Sequence, residues 1–213
     1  MVKVSIYILY LFLAILYVWL RRKQIKVDVA HQKSGVTGET YVSRLLSGLP
    51  SEYRCLNDLL IRYKGHTLQI DHVIVSPYGV FVVETKNIRG KVYGSFGDRN
   101  WLQVLNGKKR QFYSPVRQNY RHIEVISDIC GIKTGKVQSV VVFVGRCELH
   151  LKDVCNTMPS KELQEYIMKF REYRLVDGDI ERIYRRLEKR NITSPYLRRC
   201  HQVYAQRIKQ KYG

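Results

Sequence analysis

The chain opens on an unbroken apolar run and then settles into short segments separated by turns. Residues 4–20 read VSIYILYLFLAILYVWL, without a charge. At about 1.5 Å per residue a helix of this length reaches roughly 26 Å, near the ~30 Å apolar core of a bilayer. Tyr17 and Trp19 suit the membrane–water boundary, and Arg21, Arg22, Lys23 and Lys26 follow at once. Positive charge after the apolar run, with no small-residue cleavage pattern, predicts a retained anchor rather than a removed leader. The positive-inside tendency then assigns the rest of the chain to the cytoplasm. Residues 1–22 are expected to be the anchor and 23–34 a basic linker.

Beyond Gly35 the periodicity changes. Val42, Leu45, Leu46 and Leu49 fall at helical spacing, and Gly48 and Pro50 stop the pattern, predicting a helix over about 36–47. Runs at 53–61, 67–76 and 80–87 read as strands. Lys64-Gly65 and Pro77-Tyr78-Gly79 supply the turns, so these strands form an antiparallel meander. A short strand over 90–93 precedes a Gly/Asp/Asn-rich loop leading to Trp101. Pro115 opens a helix to about Cys130, with Val116, Tyr120, Ile123, Ile126 and Cys130 on one stripe. Residues 137–145, VQSVVVFVG, form a β-branched run suited to a strand buried on both faces and reached by a helical crossover. After 150 the expected elements are basic helices over 160–170, 179–190 and from Ser194-Pro195 onward. The fold class is α/β, with 35–145 as the core domain and 146–213 as a basic helical region.

Composition changes the picture in two ways. The 213 residues hold 37 Lys plus Arg against 18 acidic residues, a net charge of +19. Such a surface attracts nucleic acid or an anionic lipid leaflet. The five cysteines are scattered, with no CxxC pair, which argues against a zinc site or a disulfide framework.

Chemistry concentrates in two predicted strands. Asp71 lies in Gln69-Ile70-Asp71-His72, and Glu84 and Lys86 lie in Val83-Glu84-Thr85-Lys86. Alternation puts Glu84 and Lys86 on one face, with Asp71 on the adjacent strand. Three charged groups inside apolar strands are costly unless paired, and a divalent cation between Asp71 and Glu84 relieves that cost. Hard oxygen donors suit Mg²⁺ or Mn²⁺, with the Thr85 carbonyl as a further ligand. A plain salt bridge from Lys86 to either carboxylate is the competing account. His72 points to the opposite face of a regular strand and is expected to be a core or surface residue.

The wider pattern resembles the PD-(D/E)xK nuclease superfamily, with Ile70 where its loosely specified proline would stand. Gly38-Glu39, QIDHVIVSPYGVFVVETKN, Gly90, Trp101 and Ser114-Pro115-Val116-Arg117-Gln118-Asn119 together look like the nuclease-related (NERD) domain over about residues 35–145. The resemblance implies a restriction-endonuclease-like core with Asp71, Glu84 and Lys86 as the catalytic set. It also implies a helical Glu39 near the metal and Gln118 lining the pocket. Arg89, Lys91, Arg99, Lys108, Lys109 and Arg110 are candidates for gripping phosphates. Tyr93, Phe96, Trp101, Phe112 and Tyr113 are candidates for stacking on bases, or else for the core. The expected function is a membrane-anchored, Mg²⁺-dependent nuclease acting on DNA. The alternative is a tethered nucleic-acid-binding or scaffolding module without catalysis.

Overall fold

The computed structural model describes residue 10, residues 12–20, residue 22 and residues 37–212. Within the apolar run, residues 10, 12–20 and 22 are helical. Tyr10, Phe12, Ile15, Tyr17 and Trp19 there are all exposed. No helix among the described residues is long and apolar enough to cross a membrane. Residues 4–9 and 11 of the expected span, and the linker 23–34, lie outside the described residues.

Residues Gly38–Gly213 form one compact unit. Its first helix, α1, covers 37–46 and buries Val42 and Leu46. The meander follows as β1 (Arg54–Tyr63), β2 (His66–Ser76) and β3 (Gly79–Lys86). Lys64 and Gly65 take left-handed φ of 46° and 81°, which matches a two-residue hairpin turn to the strand twist. A second set comprises β4 (Gly90–Ser95), β5 (Asn100–Leu105) and β6 (Lys108–Tyr113). Next come α2 (Pro115–Cys130), β7 (Val137–Phe143), β8 (Cys147–Lys152) and β9 (Thr157–Pro159). Three helices end the chain: α3 (Leu163–Met168), α4 (Asp177–Arg190) and α5 (Pro195–Tyr212).

The strands build two sheets, ordered β1-β2-β3-β7-β9 and β6-β5-β4-β8. β3 is central in the first, antiparallel to β2 and parallel to β7, as the crossover helix predicts. One face of this sheet packs Val73, Val75, Val80 and Val82 against Ile123 and Ile126 of α2 and Ile183 and Leu187 of α4. The other packs Ile74, Phe81, Val83 and Val140 against Val42 and Leu46 of α1 and Leu163 and Ile167 of α3. Burial on both faces explains why β3 and β7 read as continuous apolar runs.

The expected loop leading to Trp101 is 96–99, between β4 and β5. Past it, β5 and β6 form a hairpin not expected from the sequence, closed by Asn106-Gly107 with φ of 49° and 73°. One expectation is corrected: the chain is not purely helical after 146. β8 pairs parallel to β4 and β9 parallel to β7, so each sheet is completed by residues past 145. Of the aromatic candidates, Trp101 is core at 1% exposure and stacks parallel to Phe143 at 6.4 Å between ring centroids. Phe112 packs against that cluster, whereas Tyr93, Phe96 and Tyr113 are exposed. Gly94 makes room for the indole: a Cβ there would lie 2.4 Å from the Trp101 ring.

The C-terminal helices are tied to β1 by polar contacts. Arg198 donates to Ile192 O at 2.8 Å, to Asp58 Oδ2 at 2.6 Å and Asp58 O at 2.8 Å, and to Asn191 Oδ1 at 3.0 Å. Leu60 N–H donates to the same Asn191 oxygen at 3.0 Å. Arg198 therefore spans the α4–α5 junction and the β1 backbone.

Candidate active site

The site forms where β2 and β3 part. Their pairing ends at His72 with Val83, and from Glu84 onward β3 pairs only with β7. On β2 the apolar alternation slips at this point. Leu68 and Ile70 precede it and Val73 and Val75 follow it, all in the cluster under α2 and α4. On β1 the same slip separates Leu56 from Leu59 and Ile61, with Asp58 at φ 51°. Asp71 sits at the slip, and its Oδ2 accepts the Thr85 N–H at 2.7 Å. A carboxylate thus caps the ladder where a strand partner is lost. A strand residue offers its N–H and C=O to the same edge, so the Thr85 carbonyl faces the Asp71 side too.

Glu84 and Lys86 project toward α2, as alternation requires. Glu84 is 2% exposed. Lys86 Nζ is paired with Glu84 Oε1 and also donates to Gln118 Oε1 at 3.1 Å. Glu84 Oε2 has no hydrogen-bond partner and lies 3.6 Å from His122 Nδ1. α1 comes in from the other side. Gly38 lets its first turn approach the residue after the E-x-K, since a Cβ there would lie 3.1 Å from Asn87 Cβ. Glu39, the next residue, adds its charge to the field at both Asp71 and Lys86.

The electrostatics follow from this crowding. Burial pushes the Asp71 carboxyl well above the usual carboxylate range, and the charges of Glu84 and Glu39 push it further; Lys86 and the Thr85 N–H only partly offset this. Burial works against the Lys86 ammonium, but Glu84 and Asp71 outweigh it, so its pKa rises and it stays charged. Burial lowers His122, aided by Lys86 and Arg121 against Glu84, which keeps the imidazole neutral at pH 7. His72 is buried, bonded through Nδ1 to Asn57 Oδ1 at 2.8 Å, and lowered to about 4 by desolvation. It is a core histidine, as alternation predicts.

The donor set bears on whether a cation fits. Among the described residues no three His, Cys, Asp or Glu side chains form a metal cluster. The oxygens on offer are two carboxylates, one with an unpartnered buried atom, and a strand carbonyl. Too few for a Ca²⁺ cage or a zinc site, they suit a Mg²⁺-like ion that keeps several waters and takes phosphate oxygens from a substrate. Burial first, and then the charges of Glu84 and Glu39, work against an ionised Asp71, and a cation at the fork would offset all three.

Two residues that organise this place have no role assigned from the sequence, although Asn119 stands in the 114–119 motif. Asn119 is fully buried on α2, and its Nδ2 reaches Val82 O at 2.8 Å, Ser139 Oγ at 2.9 Å and Val140 O at 3.1 Å. It pins α2 across β3 and β7. His122 lies one helical turn after Gln118, so both face β3, and that four-residue spacing was the available signal. The phosphate-gripping candidates Arg89, Lys91, Arg99, Lys108, Lys109 and Arg110 are all exposed.

A mixed α/β core whose central strand ends in E-x-K, with a neighbouring strand's carboxylate at the fork, is consistent with the restriction-endonuclease-like nucleases. The chain belongs to the nuclease-related domain (NERD) family, part of the PD-(D/E)xK-like nuclease group, whose family model matches residues 34–144. It is also similar to an uncharacterized protein of Bacillus anthracis, 33% identical over 177 residues covering 80% of this chain and 82% of that protein. No solved structure matches it.

Proposed function

We propose that this chain is a membrane-anchored, Mg²⁺-dependent nuclease that cleaves phosphodiester bonds in DNA. The observation that carries the reading is the fork itself: Asp71 capping the Thr85 N–H, the buried Glu84 with one oxygen unpartnered, and Lys86 paired to Glu84 and held by Gln118. Asp71, Glu84 and the Thr85 carbonyl would hold the cation. Such an ion supplies a water of lowered pKa and offsets charge on the phosphate. Lys86 keeps its proton and so serves as a cationic donor to the charge that develops on the phosphoryl oxygens. Gln118 fixes where that ammonium points. Glu39 adds negative potential that favours both the cation and the protonated lysine. Exposed Arg89, Arg99 and Lys109, with the net charge of +19, draw the polyanion in.

A non-catalytic tether would tolerate loss of one of these groups, yet all are present. The test is the detergent-solubilised full chain incubated with plasmid and single-stranded DNA. Cleavage is expected with Mg²⁺ or Mn²⁺ and none in excess EDTA. Salt-dependent DNA binding with no turnover in either metal would overturn the nuclease reading in favour of the tether.

Anchoring rests on the uncharged run 4–20, which as a helix approaches the thickness of a bilayer's apolar core. Arg21, Arg22, Lys23 and Lys26 then favour the cytoplasmic side for the nuclease domain. Alkaline carbonate washing of membranes is expected to leave the protein in the pellet, and a chain lacking residues 1–22 in the supernatant. Release of the full chain overturns the anchor.

A further inference from the structure

Two buried polar atoms face each other in this site without a partner between them. Glu84 Oε2 and His122 Nδ1 are 3.6 Å apart, and neither makes a hydrogen bond elsewhere. Glu84 is 2% exposed and His122 7%. The gap exceeds a normal N–H···O separation by about half an ångström, within reach of a small side-chain rotation. A neutral imidazole carries one N–H, and a carboxylate is the strongest acceptor near Nδ1.

We infer that His122 is a positioning residue for Glu84, donating its Nδ1–H to Oε2 and so fixing the carboxylate plane that meets the divalent cation. This rests on the reading of Glu84 as a cation ligand. Lys86 already takes Oε1, so Oε2 is the oxygen whose direction is otherwise unset. A carboxylate oxygen accepts two donors, so the histidine leaves a lone pair for the ion. The donor is also well anchored. Asn119 pins α2 to β3 and β7 three residues earlier, and Gln118, one turn before His122, holds Lys86. One helix face therefore orients both charged members of the E-x-K. Carboxylates that ligate metals are commonly steered by such hydrogen bonds, whose loss costs about 10–100-fold in metal affinity or activity.

The experiment titrates Mn²⁺ into the detergent-solubilised full chain by calorimetry, for wild type, His122→Leu and His122→Asn. Asn carries an N–H where Nδ1 stands, and Leu fills the volume without a donor. His122→Leu is expected to bind Mn²⁺ about 10–100-fold more weakly, with a fall in kcat and little change in KM for DNA. Its metal-free melting midpoint should lie at or below that of wild type, since the buried Glu84 Oε2 loses its donor. His122→Asn should hold Mn²⁺ within about threefold of wild type. If His122→Leu does not fold, His122→Ala is read the same way. Equal Mn²⁺ affinity in wild type and the donorless variant overturns the inference while leaving the nuclease reading intact, as does an Asn variant as weak as Leu. A wild-type chain that binds no Mn²⁺ overturns both.

Discussion

Asp71→Asn is expected to abolish metal-dependent cleavage and, at the same time, to raise the melting temperature of the metal-free protein at neutral pH. The loss of cleavage, on the order of a thousandfold, follows from removing one of two anionic ligands at the fork. The gain in stability follows from the pKa. The folded value of Asp71 lies well above 3.8, chiefly through burial and then through Glu84 and Glu39. Folding therefore takes up a proton between the two values. The metal-free fold loses stability as pH rises from the unfolded value through the folded one, and the penalty is full above it. Asparagine has no charge to desolvate and no repulsion with Glu84, while its side-chain oxygen still accepts the Thr85 N–H. In EDTA, scanning fluorimetry should put the variant above wild type at pH 8, with the gap closing toward pH 4. Added Mn²⁺ should raise the wild-type midpoint, because a ligand bound only to the folded state stabilises it, and should leave the variant unmoved. A wild type at least as stable as Asp71→Asn at pH 8 in EDTA would mean that the carboxylate is not the strained group described above.

Asn119→Ala is the second large effect, and it acts on the scaffold. Its amide nitrogen faces two backbone carbonyls and the Ser139 hydroxyl in a fully buried setting. Carbonyls only accept, so the nitrogen is the end that must face them. Truncation leaves those acceptors and a cavity with neither water nor donor, costing roughly 3 kcal/mol. For a unit of this size that is about 6–12 °C in melting temperature. Gln118→Ala, next to it and only partly buried, should cost less than about 1 kcal/mol, although it frees Lys86. Urea denaturation of both variants checks the contrast. Similar midpoints for the two would show that α2 is held by its apolar face alone.

Much of this architecture is legible from residue pattern. Pro115 and the apolar stripe behind it mark α2, and Ser114 caps it, accepting the Arg117 N–H at 3.4 Å. Gly131 ends it in the left-handed region at φ 63°. β7 reads as buried because both its faces are covered. The β5–β6 hairpin escaped that reading although Asn106-Gly107 is a strong turn signal, because β6 is KKRQFY and offers little apolar alternation to weigh. β8, CELHLK, alternates cleanly but lies among basic residues that suggest helix, and β9 has three residues. Such strands owe their state to the edges they pair with, which no local window contains.

The amino-acid order by itself determined that Glu84 and Lys86 share a face, that Asp71 belongs to the adjoining strand, and that the chain carries a NERD pattern. Those follow from two-residue periodicity and from short turns, both local. Only the tertiary structure decided that β2 slips its alternation at Asp71, and that β2 and β3 part there so a carboxylate caps the Thr85 N–H. It also decided that α2 lies across β3 with Asn119 as its pin, bringing His122 to Glu84 from 38 residues away in sequence. A helix's position over a sheet depends on packing summed over every residue beneath it. That sum, not any spacing in the chain, brings the imidazole to the buried Glu84 Oε2.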